Sequence, residues 1–239
     1  MKNALRMALL LPLTLVTGCA FSVAGATRAI TVKDRHMPEI KYLVQLPEGY
    51  DPAGPPLPLI FFLHGAGERG DDLAQVCVNG PPMLIAKGKR KFDAIVVSPQ
   101  CPKDRWWGYE SEPLLQVLEK VKADYRVDPR RVYLTGCSMG GYGAIALAAR
   151  DPKQFAAVVA VCGGGNYFDA LRLSRTPFWA FHGGKDPLIP VEESKRMVDI
   201  INAHGGQAQL TLYPDAAHDA WTAAYENETM WTWLFQQHL

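Results

Sequence analysis

The sequence predicts a single α/β domain, a mostly parallel sheet with helices on both faces. Three observations carry this reading. From residue 59 onward, short apolar runs of strand length alternate with segments whose apolar residues fall at helical spacing. Several of those runs are continuously apolar, as strands covered on both faces are. Most also end in glycine-rich turns, and ligands of parallel α/β sheets bind beyond the carboxyl ends of the strands. At 239 residues, 48% of them hydrophobic, the chain is long enough to bury one sizeable core.

Taken in order, the chain opens with Lys2 and Arg6 ahead of an apolar run from Met7 to Val16. That run is too short to span a bilayer and has the length of a signal peptide. Val16-Thr-Gly-Cys19 then resembles the bacterial lipobox. Residues 1–18 are therefore expected to be a lipoprotein-type signal peptide, Cys19 the lipidated first residue, and residues 19–27 a tether. Ordinary cleavage after Ala26 is the alternative, because Ala24-Gly-Ala26 meets the small-residue rule. Both readings imply export, either to a membrane through an N-terminal lipid anchor, facing the periplasm or exterior, or as a soluble periplasmic or secreted protein.

The domain is expected over residues 28–239. Ile30-Thr-Val32 and Lys41 to Leu46 read as two strands meeting at a turn near His36-Met-Pro38. Pro47 to Pro58 is proline-rich loop. Leu59 to Leu63 and Ala94 to Ser98 read as buried strands, with a helix near Asp72 to Lys87 that Pro81-Pro82 breaks or restarts. Glu112 to Tyr125 is amphipathic. Arg131 to Thr135 is a strand, and the small residues from Ala144 to Ala149 form a helix. Strands follow at Phe155–Val161, Phe178–Phe181 and Gln209–Tyr213, a helix at Val191–Ala203 and a closing helix at Ala220–Gln237. Between Gly163 and Pro177 there is no room for a large lid domain.

Charge excludes one class of partner. Lysine plus arginine (25) and aspartate plus glutamate (24) give a net +1, and no basic stripe interleaves with aromatics, so no nucleic acid is expected. Lys87-Gly-Lys-Arg-Lys91 reads as a solvated loop. Beyond Cys19, Cys77, Cys101, Cys137 and Cys162 allow three disulfide pairings, between which sequence does not choose. Cys137 and Cys162 fall in core elements, where a thiol behaves as a small hydrophobe. No Cys-x-x-Cys or Cys/His cluster suggests zinc, and neither metal nor cofactor is expected.

The chemistry centres on Gly136-Cys-Ser-Met-Gly140, set between a strand and a helix. G-x-S-x-G in that setting describes a nucleophile elbow, which lifts a serine hydroxyl off the end of a sheet. Ser138 then needs a base to take its proton. His218, between the last strand and the closing helix, is the best placed. His64 and His182 also end strands, but each precedes a glycine-rich turn and reads as a brace for it. The imidazole needs an acid, and Asp186 lies just beyond the preceding strand, whereas Asp169, Asp215 and Asp219 lack that setting. An oxyanion would meet the N–H of Met139 and that of Ala66, or otherwise of Gly67. Trp106, Trp107 and Trp221, with Tyr109 and Tyr167, fall in loops or turns near the expected cleft and are candidates for an aromatic acyl pocket.

Three motifs together, His64-Gly-Ala-Gly-Glu-Arg-Gly-Asp-Asp72, Gly136-Cys-Ser-Met-Gly-Gly-Tyr-Gly143 and His182-Gly-Gly-Lys-Asp186, resemble a known group. It is that of the small α/β-hydrolase carboxylesterases, which includes phospholipase/carboxylesterase, feruloyl esterase and polyhydroxybutyrate depolymerase-like enzymes. The resemblance implies the α/β-hydrolase fold and hydrolysis of carboxylic esters; the short stretch from Gly163 to Pro177 favours an open cleft for small or polymer-attached esters, with a short-chain or aromatic acyl group expected. The resemblance also implies Ser138 as nucleophile, Asp186 as acid, His218 as base, and Ala66 and Met139 as oxyanion donors. Ser138 at the centre of the motif is expected to separate the chain from cysteine-using dienelactone hydrolases. A serine peptidase of the same fold, or a silent surface-binding module, are the alternatives.

Overall fold

The computed structural model describes the backbone of residues 27–34 and 37–239, with side chains from residue 40. The expected signal peptide, Cys19 and the tether up to residue 26 lie outside the described residues, as does His36. Thr27, assigned to the tether, already opens the first strand.

The strands are β1 (Thr27–Asp34), β2 (Met37–Gln45), β3 (Leu57–Leu63), β4 (Ile95–Gln100), β5 (Val127–Cys137), β6 (Ala157–Val161), β7 (Phe178–Gly183) and β8 (Ala208–Tyr213). They make one sheet in the order β1-β2-β4-β3-β5-β6-β7-β8. β1 and β2 pair antiparallel, β2 pairs antiparallel with β4, and β3 to β8 are mutually parallel. This is the α/β-hydrolase arrangement. The helices are α1 (Gly80–Ala86), α2 (Ser111–Asp124), α3 (Met139–Arg150), α4 (Tyr167–Arg172), α5 (Glu192–Ala203), α6 (Trp221–Glu226) and α7 (Glu228–Gln236).

Successive side chains of a strand point to opposite faces, so a strand covered twice must be apolar at every position. Leu59, Phe61 and Leu63 join Val132, Leu134 and Val158 in a core closed by α2, α3 and α5. Ile60 and Phe62 turn the other way, joining Tyr133, Val159 and Phe181 in a second core closed by α1, α6 and α7. Burying one such Leu or Phe contributes about 1.5–3 kcal/mol, and the two cores fix which end of each strand is free for chemistry.

Four elements depart from the sequence reading. The helix expected near residues 72–87, with a break or restart at Pro81-Pro82, begins as a 3₁₀ turn at Leu73–Cys77 and restarts as α1 with those prolines in its first turn. The closing helix is two helices, because Asn227 leaves helical geometry and its side chain caps α7 by accepting from the Thr229 and Met230 amides. The stretch read as loop after Gly163 contains α4, started by a capping box between Asn166 and Asp169. Met37 and Pro38, placed in a turn, belong to β2.

Candidate active site

β5 crosses the centre of the sheet and stops at Cys137, and α3 starts at Met139. The single residue between them, Ser138, has φ 55° and ψ −120°, a strained conformation for any side-chain-bearing residue. Local sequence makes this tolerable. A β-carbon on Gly140 would lie 2.5 Å from the Leu63 carbonyl carbon and 2.7 Å from the His64 oxygen. One on Gly136 would lie 2.5 Å from the carbonyl carbon of Gly140. Only glycines let the chain double back this tightly over the end of β3.

The turn presents Ser138 Oγ to His218, whose Nε2 is 2.8 Å away. His218 follows β8, and its Nδ1 lies 2.7 Å from Oδ2 of Asp186, in the turn after β7. The other oxygen, Oδ1, accepts the Leu188 and Ile189 amides at 2.9 and 3.0 Å. Burial by itself would raise the Asp186 carboxyl, but the hydrogen bonds from His218, Ile189 and Leu188 outweigh it and hold it below the usual carboxylate range. An ionised Asp186 accepts the Nδ1 proton, leaving Nε2 as the nitrogen with a free lone pair toward the serine. The structure thus brings Ser138, His218 and Asp186 together.

The turn after β3 faces the same serine. A β-carbon on Gly65 would stand 3.7 Å from that of Ser138, and Ala66 opens the 3₁₀ turn Ala66–Glu68. Met139, at the N-terminus of α3, offers its amide where the helix dipole is positive. His64 anchors this turn from below: Nδ1–H donates to the Gly65 carbonyl (2.6 Å), and Nε2 accepts the Cys101 amide (3.0 Å). Burial, the largest influence, brings its imidazole down to about 4, so the ring is neutral. The bracing role expected for His64 is what these bonds provide.

Beside Ser138 and His218 opens a cleft of about 430 Å³ walled by Trp106, Met139, Tyr142, Leu188 and Ile189. Two of the three tryptophans expected there are elsewhere. Trp107 is fully buried, and its Nε1–H donates to the His64 carbonyl at 3.0 Å. Trp106 is extended, so neighbouring side chains point opposite ways, one into the cleft and one into the core. Trp221 is not part of the wall; it packs edge-on against the His218 ring at 5.1 Å, with its Nε1–H donating to Asn79 Oδ1. Tyr109 is 87% exposed, and the Tyr167 hydroxyl bonds His204. The sequence reading missed Tyr142, Leu188 and Ile189. Tyr142 lies one helical turn after Ser138, a spacing that puts it over the same spot.

The Cys101, Cys137 and Cys162 thiols are buried and form no disulfide. Burial raises all three, Cys101 and Cys162 to about 12, so they remain protonated and behave as small apolar groups. Cys162, His182 and Asp186 place one donor atom each within 4.8 Å of one another. Asp186 already serves His218 and two amides, and the thiol is neutral, so a metal there would have to dismantle the hydrogen bonds just described.

The dienelactone hydrolase family model matches residues 106–229, a stretch that holds Ser138, Asp186 and His218. The chain belongs to that family. Serine at the centre of the elbow was expected to set it apart from the cysteine-using members; the difference at residue 138 stands, but the chain lies within the family. Feruloyl esterase C of Emericella nidulans is 28% identical over 83% of this chain and 77% of its own length. A thermostable esterase of known structure is 32% identical with a TM-score of 0.76, aligned over 89% of this chain and 63% of its own. The feruloyl esterase module of Clostridium thermocellum, solved with sinapinate, shares the fold at 16% identity and a TM-score of 0.67.

Proposed function

We propose that this member of the dienelactone hydrolase family is a serine carboxylesterase acting through an acyl-enzyme, on esters with short-chain or aromatic acyl groups. The observation that carries the reading is the unbroken chain of short contacts from Ser138 Oγ through His218 to Asp186. Ser138 attacks the ester carbonyl as His218 Nε2 takes its proton. Asp186 stabilises the imidazolium, and the alkoxide leaves with the proton His218 returns. Water then repeats the sequence on the acyl-enzyme. The developing oxyanion meets the amides of Met139 and Ala66, and each such donor lowers the barrier by about 2.7–4 kcal/mol.

Hydrolysis of carboxylic esters is supported by the feruloyl and thermostable esterases to which the chain is similar. An aromatic acyl group suits the cleft, which is lined by Trp106 and Tyr142 together with the aliphatic Leu188 and Ile189. We further propose that the enzyme is exported and lipidated at Cys19. Among the described residues no helix is long and apolar enough to cross a membrane; anchorage would rest on the lipid.

A fluorophosphonate probe tests the chemistry. Ser138 of the wild type should be labelled, and Ser138→Ala and His218→Ala should lose acylation, with kcat down by about a million-fold. Absence of label on the wild type would end the serine-hydrolase reading. Turnover of methyl ferulate and p-nitrophenyl acetate but not of a peptide anilide is expected. Fatty-acid labelling should disappear in Cys19→Ser, and labelling that persists would refute the anchor.

A further inference from the structure

The buried histidine at the end of β7 has no part in the scheme above, yet it touches the acid. His182 Nε2 lies 3.0 Å from the Ile189 carbonyl and 3.3 Å from Asp186 Oδ2. Both of these are acceptors, so Nε2 carries a ring proton. Nδ1 meets Ser194 Oγ of α5 at 2.7 Å, and the same hydroxyl stands 2.8 Å from the Gly163 carbonyl. Gly163 in turn packs directly on α3, since a β-carbon on it would lie 2.8 Å from Gly141 and 3.1 Å from the Tyr142 nitrogen.

The ring therefore bonds one loop directly, at Asp186 and Ile189, and α5 at Ser194. It shares Asp186 Oδ2 with His218, holds the carbonyl of a residue that walls the cleft, and is steadied by a serine that also reaches the turn under the elbow helix. We propose that His182 is a positioning residue. Its Nε2–H ties the Asp186 carboxylate to the Ile189 backbone, so that a single buried donor sets both the aim of the acid and the position of the acyl wall. The proposal rests on the triad reading given above.

Two near-isosteric variants test it. His182→Gln can hold an amide N–H near the former Nε2, whereas His182→Asn places its amide near Nδ1, on the Ser194 side. With Asp186 and Ile189 released, displacement approaching 1 Å is expected to slow acylation by about 10²-fold. The Asn variant should therefore be labelled by the fluorophosphonate about a hundredfold more slowly than wild type and show a raised KM. The Gln variant should stay within tenfold. The low-field imidazole proton of the His218–Asp186 pair, seen by proton NMR, should persist in the Gln variant and vanish in the Asn variant. Ser194→Ala, which leaves the ring free to turn, should give a smaller loss in the same direction. Equal rates and equal spectra for the Gln and Asn variants would overturn the role of His182. A wild type that takes no label would instead overturn the serine-hydrolase reading itself.

Discussion

Gly140→Ala adds one methyl group at the tightest point of the elbow. The new carbon would lie 2.5 Å from the Leu63 carbonyl carbon and 2.7 Å from the His64 oxygen. Ordinary contact is about 3.5–4.0 Å, so α3 and the end of β3 must separate by roughly 1 Å. Both obstacles are backbone, at the end of a central strand paired on both sides, so neither can swing aside as a side chain would. The first turn of α3 moves instead, taking the Met139 amide away from the β3 turn and Ser138 Oγ away from its 2.8 Å contact with His218. A misplacement of that size costs about 10²-fold in rate. Overpacking a well-filled site costs about 1–3 kcal/mol, which for a domain of this size is several degrees in Tm. Steady-state hydrolysis of p-nitrophenyl acetate, the rate of fluorophosphonate labelling and a thermal melt measure all three. A Gly140→Ala variant with wild-type rate and wild-type Tm would refute the claim that this contact sets the serine.

Protonation of His64 is opposed by its burial, which puts its folded value near 4, below the usual 6.5 of an unfolded histidine. The unfolded chain then binds the extra proton between these values, so stability is complete above pH 6.5 and lost as pH falls toward 4. The loss attributable to this group is about 3 kcal/mol, and urea melts from pH 7 to 4.5 should show a gradient that His64→Gln reduces; equal gradients would contradict it. The two adjacent tryptophans should separate cleanly. Trp106→Ala should leave Tm unchanged and raise KM for aromatic esters by up to about tenfold, whereas Trp107→Ala should cost about 3–5 kcal/mol of stability. The same phenotype in both would refute their assignment to cleft and core. Asn227→Ala removes the cap of α7 and should cost about 1 kcal/mol, read as a lower urea midpoint at unchanged kcat; an unchanged midpoint would count against the cap.

How much of this was legible in the sequence depends on how local each signal is. The central strands were readable because burial on two faces demands an unbroken apolar run, and Leu59 to Leu63 is one. The elbow was readable because its geometry leaves so few residue types at 136 and 140. Chain order sufficed to nominate His218 and Asp186, and the structure sets His218 beside Ser138 and Asp186 beside His218. What escaped was set by three-dimensional packing. Trp106 and Trp107 share a loop with no periodicity, so nothing in the sequence told which faced the core. The swap of β3 and β4 across the sheet is a property of crossovers rather than of either strand. Two misses did carry local cues: Asn166 with Asp169 is the capping box of α4, and Asn227 before Glu228 marks a fresh helix start.

The position of β8 at the outer edge of the sheet bears on when this protein becomes active. His218 hangs from that strand and meets a serine 80 residues earlier in the chain. Among the described residues β8 pairs only with β7, and the histidine lies later in the chain than every described strand. A nascent or partly refolded chain can complete β3, β5 and the elbow and still hold an inert serine. Return of probe labelling during refolding should therefore lag behind return of the β-sheet signal. That delay keeps an incomplete chain harmless to the esters around it.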